Sequence, residues 1–111
     1  MAKTLDFNTR KKEYLTVKLN DEKKTVLMIG TPTKTIMREF IAINEKVSED
    51  GDTDPELIED LYDVCAKVMS FNKMGVKISS DYLGDFFDVE NILVFFEVYG
   101  DFMSSMTNTK N

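Results

Sequence analysis

Five large apolar side chains follow one another without a break at Ile92-Leu93-Val94-Phe95-Phe96, inside a segment that otherwise carries helix signals. Asp88 can cap a helix there, and the spacing predicts that helix over Val89 to Thr107. Successive residues turn by about 100°, so five in a row cannot share one narrow face. Centred on Ile92, the apolar arc from Val98 through Phe102, Phe95, Met106, Tyr99, Met103 and Phe96 to Leu93 spans about 220°, against roughly 100° for a one-sided surface helix. The polar strip of Glu90, Glu97, Asp101 and Ser104 is correspondingly narrow. Such a helix either lies at the centre of its fold or keeps one apolar side for a partner. We take Phe95, Tyr99, Phe102, Met103 and Met106 as the protein-binding candidates, with the Phe102 to Met106 end left uncovered. Methionine and aromatic side chains suit adaptable interfaces.

The N-terminal part has a different period. Leu15, Val17 and Leu19 alternate with Tyr14, Thr16 and Lys18, which predicts a half-buried strand, and Thr25 to Ile29 predicts its partner. Asn20-Asp21-Glu22-Lys23 reads as the hairpin connection, and Gly30 as the end of the second strand. Thr31-Pro32 then signals a helix start, with Ile36, Phe40, Ile43 and Val47 on one face. Ser48 to Thr53 is polar throughout and reads as a loop, after which Asp54-Pro55 restarts the chain. In the second helix Leu57, Leu61, Val64, Val68 and Phe71 recur at three- and four-residue steps, flanked by Ile58, Cys65 and Met69. Asn72 to Gly75 supplies a stop, and Ser79 or Ser80 can cap a short third helix over Asp81 to Phe87. The fold expected is α+β and mainly helical: an N-terminal β-hairpin followed by about four helices around one core. The 111 residues make a single domain, with 1–12 as a flexible basic N-terminus and 104–111 as a flexible polar tail.

Charge is unevenly spread. Residues 1–24 carry seven Lys or Arg against four acids, Glu45 to Asp63 carries nine acids against Lys46, and Asp81 to Asp101 carries six acids with no Lys or Arg. A net charge of -6 disfavours sequence-independent binding to nucleic acid, which relies on basic residues displacing counterions. The aromatics lie in the most acidic stretch, so no nucleic-acid partner is expected. No apolar run follows Met1 and the lone Cys65 has no internal disulfide partner, which points to a reducing cytoplasm and no membrane segment.

Chemistry finds little support. The chain has no histidine, which removes the commonest general base and metal ligand. Cys65 sits among Leu61, Val64, Val68 and Met69 with no positive neighbour to form a thiolate, so it reads as a core thiol. Asp50-Gly51-Asp52-Thr53-Asp54 imitates the start of an EF-hand, but Pro55 and Leu61 stand where that loop needs glycine and a bidentate glutamate. The five glycines are scattered and form no phosphate-binding pattern. We therefore expect no catalytic residues, metal, cofactor or small-molecule substrate.

The order of elements resembles the tail assembly chaperones of long-tailed, siphovirus-type phages and prophages of Gram-positive bacteria. The resemblance is carried by the strand pair Glu13 to Leu19 and Thr25 to Ile29, the Thr31-Pro32 helix start, and Glu59 to Cys65 leading into Asn72 to Ile78. Tyr82-Leu83 followed by Asp88 to Phe96 completes it. It implies a non-enzymatic protein of the bacterial host cytoplasm that binds the helical tape-measure protein, keeps it soluble and helps bring tail-tube protein to it. It also implies a longer frameshifted product in many such genes, and it supplies no binding motif that maps onto named positions. A different reading of the clustered acids is a small inhibitor that imitates DNA phosphates, against which the basic N-terminal quarter argues. A homo-oligomeric interaction module is a further alternative.

Overall fold

The computed structural model describes residue 4, residues 13–50 and residues 55–107, the side chains of 48–50, 106 and 107 excepted. Strand β1 (Leu15–Lys18) and strand β2 (Val26–Ile29) pair antiparallel, with Leu15 opposite Ile29 and Lys18 opposite Val26. Helices α1 (Lys34–Asp50), α2 (Pro55–Ser70), α3 (Ser80–Phe86) and α4 (Val89–Thr107) follow. The expected α+β, mainly helical architecture with an N-terminal hairpin is the one observed.

Alternation explains the sheet. Leu27 and Ile29 are buried and Leu15 and Val17 pack against the same core, while Thr16, Lys18 and Val26 are exposed on the other face. The turn is closed by the Lys24 amide donating to the Asp21 carbonyl at 3.1 Å, with Lys24 at φ 53°. Asp21 itself is buried. Its carboxylate accepts from the Thr25 amide at 2.8 Å, from the Thr25 hydroxyl at 2.7 Å and from the Tyr82 hydroxyl, tying the turn to α3.

These donors, Tyr82 first, lower the Asp21 pKa from 3.8 to about 2. A depressed carboxylate stabilises the fold above its unfolded pKa, and that contribution fades as pH falls from 3.8 toward about 2. The Asp21→Asn variant should melt below wild type at neutral pH and lose part of the acid dependence in that window. Parallel acid unfolding of the two proteins would show that Asp21 is not the responsive group.

The helix ends follow capping chemistry. Ser79 caps α3, its hydroxyl accepting from the Tyr82 amide at 3.0 Å. Asp88 accepts from the Asn91 amide at 2.8 Å while Asn91 accepts from the Asp88 amide at 3.1 Å, a reciprocal box that starts α4. At α1 the cap is Thr33, whose hydroxyl accepts from the Ile36 amide at 3.4 Å, rather than Thr31 with Pro32 as first helical residue. Gly30 is still tied to the segment after α2, so Thr31 and Pro32 lie in the link between β2 and α1. Ser48 to Asp50, expected in a loop, belong to α1, and of the remainder 51–54 lie outside the described residues. Residues 104–107, expected in a flexible tail, belong to α4, which runs through Thr107; the N-terminal segment, residue 4 apart, and residues 108–111 lie outside the described ones.

After α2 the chain returns to the sheet. The Gly30 amide donates to the Phe71 carbonyl at 3.2 Å and the Lys73 amide to the Met28 carbonyl at 2.9 Å, while Ile29 and Asn72 form a bridge. This draws Phe71 off the helix face, so the residue expected in the core is 39% exposed. The core takes Leu27 and Ile29 from β2, Phe40 and Ile43 from α1, Leu61, Cys65, Val68 and Met69 from α2, Leu83 from α3 and Ile92 from α4.

Candidate interaction surface

The wide apolar arc of α4 is divided between core and solvent. Ile92, Phe95, Phe96 and Tyr99 are buried. Phe40 of α1 seals them: its ring stacks on Phe96 with centroids 4.7 Å apart and meets Tyr99 edge-on at 5.4 Å. The Tyr99 hydroxyl donates to the Gly30 carbonyl at 3.2 Å, anchoring α4 to the end of the hairpin. Burial raises the Tyr99 pKa above the usual tyrosine range.

Two of the five binding candidates are therefore core residues. Phe95 is 5% exposed and Tyr99 is fully buried, so neither can contact a partner without opening the fold. Phe102 and Met103 are half-buried and pack against the core, and the Met106 side chain lies outside the described residues. The exposed apolar side chains of α4 are instead Leu93 at 44%, Val94 at 55% and Val98 at 43%. Leu93 and Val98 are the two ends of the arc drawn from the sequence, and Val94 lies beyond it. A sequence reading that treated arc centre and arc edge separately would have found them.

Leu93 borders a groove of about 400 Å³ between α1 and α4, lined also by Val47, Phe96, Gly100 and Asn44. Glu97, Asp101 and Ser104 form its polar rim. Gly100 keeps the groove open, because at that position no side chain projects from α4. Away from this groove Phe71 and Met74 are exposed, with Tyr14 beside Phe71 and the Lys73 ammonium 5.5 Å from the Tyr14 ring centre.

Reactive groups do not converge on any of these places. Cys65 is fully buried, and burial pushes its thiol pKa well above the ordinary range. Among the described residues no three His, Cys, Asp or Glu side chains come together in a metal-holding group. No helix among the described residues is long and apolar enough to cross a membrane. Comparison with protein-family models, with curated proteins and with solved structures gives no match.

Proposed function

We propose that the chain is a non-catalytic tail assembly chaperone that holds an amphipathic helix of a tape-measure protein in the groove between α1 and α4. In that role it keeps the long partner soluble while tail-tube subunits are recruited. The observation that carries the reading is the exposed Leu93 side chain beside half-buried Val47 in that groove, set within a polar rim of Glu97, Asp101 and Ser104. A helix seats in such a groove through residues at i, i+3, i+4 and i+7. The element order that carries the family resemblance supports the choice of partner.

Co-expression with the tape-measure protein from the same genome tests it. The partner should become soluble and co-purify in high salt, because an apolar contact is little affected by screening. Leu93→Asp should abolish co-purification, while its exposed position keeps the change in stability within roughly 0.5–1 kcal/mol. A soluble, folded Leu93→Asp protein that still retains the partner rules out this groove, and a failure of wild type to solubilise the partner rules out the function.

A further inference from the structure

The groove between α1 and α4 carries charge of one sign only. Its charged lining residues are Glu97 and Asp101, both exposed. Around α4, at about 100° per residue, Leu93, Gly100 and Ser104 fall within an arc of about 40°. Glu90, Glu97 and Asp101, all exposed, fall together just beyond it, on the side away from the core. At a rise of about 1.5 Å per residue these three carboxylates make a row about 16 Å long beside the groove.

The opposite wall supplies no counter-charge. Helix α1 contributes Asn44 and Val47, while Lys46 borders a different cleft, between α1 and α2. Ile41, three residues before Asn44 on α1, is exposed and adds apolar surface to that shoulder. Helix α4 holds no Lys or Arg, and the salt bridge found among the described residues, Lys67 to Glu39, involves none of the three carboxylates. An uncharged helix seated against Leu93 would strip water from that row and return nothing, and an acidic helix would meet like charge. A helix with Lys or Arg beside its apolar row meets neither cost, because the long aliphatic stems cover apolar surface while the heads reach the carboxylates.

Resting on the docking role proposed for this groove, we infer that the helix it takes is basic as well as amphipathic. Apolar residues at i, i+4 and i+7 lie against Leu93 and Ile41, and Lys or Arg along one edge faces Glu90, Glu97 and Asp101. Apolar contact holds the helix, and the carboxylate row selects it.

Fluorescence anisotropy with the full chain tests this using two alanine-rich helical peptides of about 20 residues, which share leucines at i, i+4 and i+7 and differ only in flanking Lys or flanking Glu. In low salt the Lys peptide should bind at least about tenfold tighter than the Glu peptide. In about 1 M salt, where the Debye length is about 3 Å, the gap should close while binding of the Lys peptide persists. Glu90→Gln/Glu97→Gln/Asp101→Asn should abolish the preference with an unchanged melting curve, Asp81→Asn/Asp85→Asn on α3 should leave it intact, and Leu93→Asn should weaken both peptides. Equal binding of the two peptides to wild type overturns the inference and leaves the groove as a docking site, whereas failure of both to bind removes the docking role together with it. A preference for Lys that survives the α4 substitutions, or that the α3 substitutions abolish as fully, overturns the inference in favour of general attraction to an acidic protein.

Discussion

Phe40→Ala should unfold this protein more readily than almost any other single change, lowering stability by about 3–5 kcal/mol. The ring is 2% exposed and touches α4 through two aromatic contacts, with Phe96 and with Tyr99. Alanine at this position removes the lid over Tyr99 and leaves a cavity that the backbone of α1 cannot fill. Since a domain of this size has a net stability of about 5–15 kcal/mol, the loss is a large share of the total. Chemical denaturation should show a lower midpoint with the slope preserved, because the surface exposed on unfolding hardly changes. Phe40→Leu keeps most of the volume and should lose less, which separates the packing contribution from that of ring stacking. A loss below about 1 kcal/mol for Phe40→Ala would mean that α1 does not seal α4, and that Phe95 and Tyr99 are more available than their burial indicates.

The sequence period located the elements because each buries one side against the same core. Alternation at Leu15, Val17 and Leu19 and three- and four-residue spacing at Leu57, Leu61 and Val68 both survive in the structure. Ser79 and Asp88 were legible as caps because their side chains bond to amides only three residues away. What was illegible depends on distant partners. Asp21 looks like an ordinary turn residue until Tyr82, sixty-one positions on, is seen to donate to it. Phe71 fits the helical period of α2, yet pairing of its carbonyl with Gly30 turns it outward. On α4 the arc described a helix apolar around most of its circumference, but it could not say which side of the arc Phe40 would cover. That choice exposes Leu93, Val94 and Val98 and buries Phe95 and Tyr99.

Asn72 carries the second large effect, because one side chain closes the turn that brings the chain back to the sheet. Its amide nitrogen donates to the Met69 carbonyl at 2.8 Å and to the Val76 carbonyl at 2.7 Å, and its oxygen accepts from the Val76 amide at 2.9 Å. Gly75, at φ 73°, lies inside the loop so formed. Asn72→Ala strands three partly buried backbone groups and should lower stability by about 2–4 kcal/mol. Asn72→Asp is the sharper test. It keeps an acceptor for the Val76 amide but sets an ionised carboxylate against two carbonyl oxygens, so at neutral pH it should be at least as damaging as alanine. Protonation restores a donor, and a carboxylate disfavoured in the fold has a raised pKa, so this variant should regain stability as pH falls through that value. Amide exchange at Gly30 and Lys73, whose hydrogens bind the Phe71 and Met28 carbonyls, should quicken in both variants while the β1 to β2 pairing stays protected. Unchanged exchange there, with stability lost elsewhere, would mean that the bridge between β2 and the segment after α2 forms without Asn72.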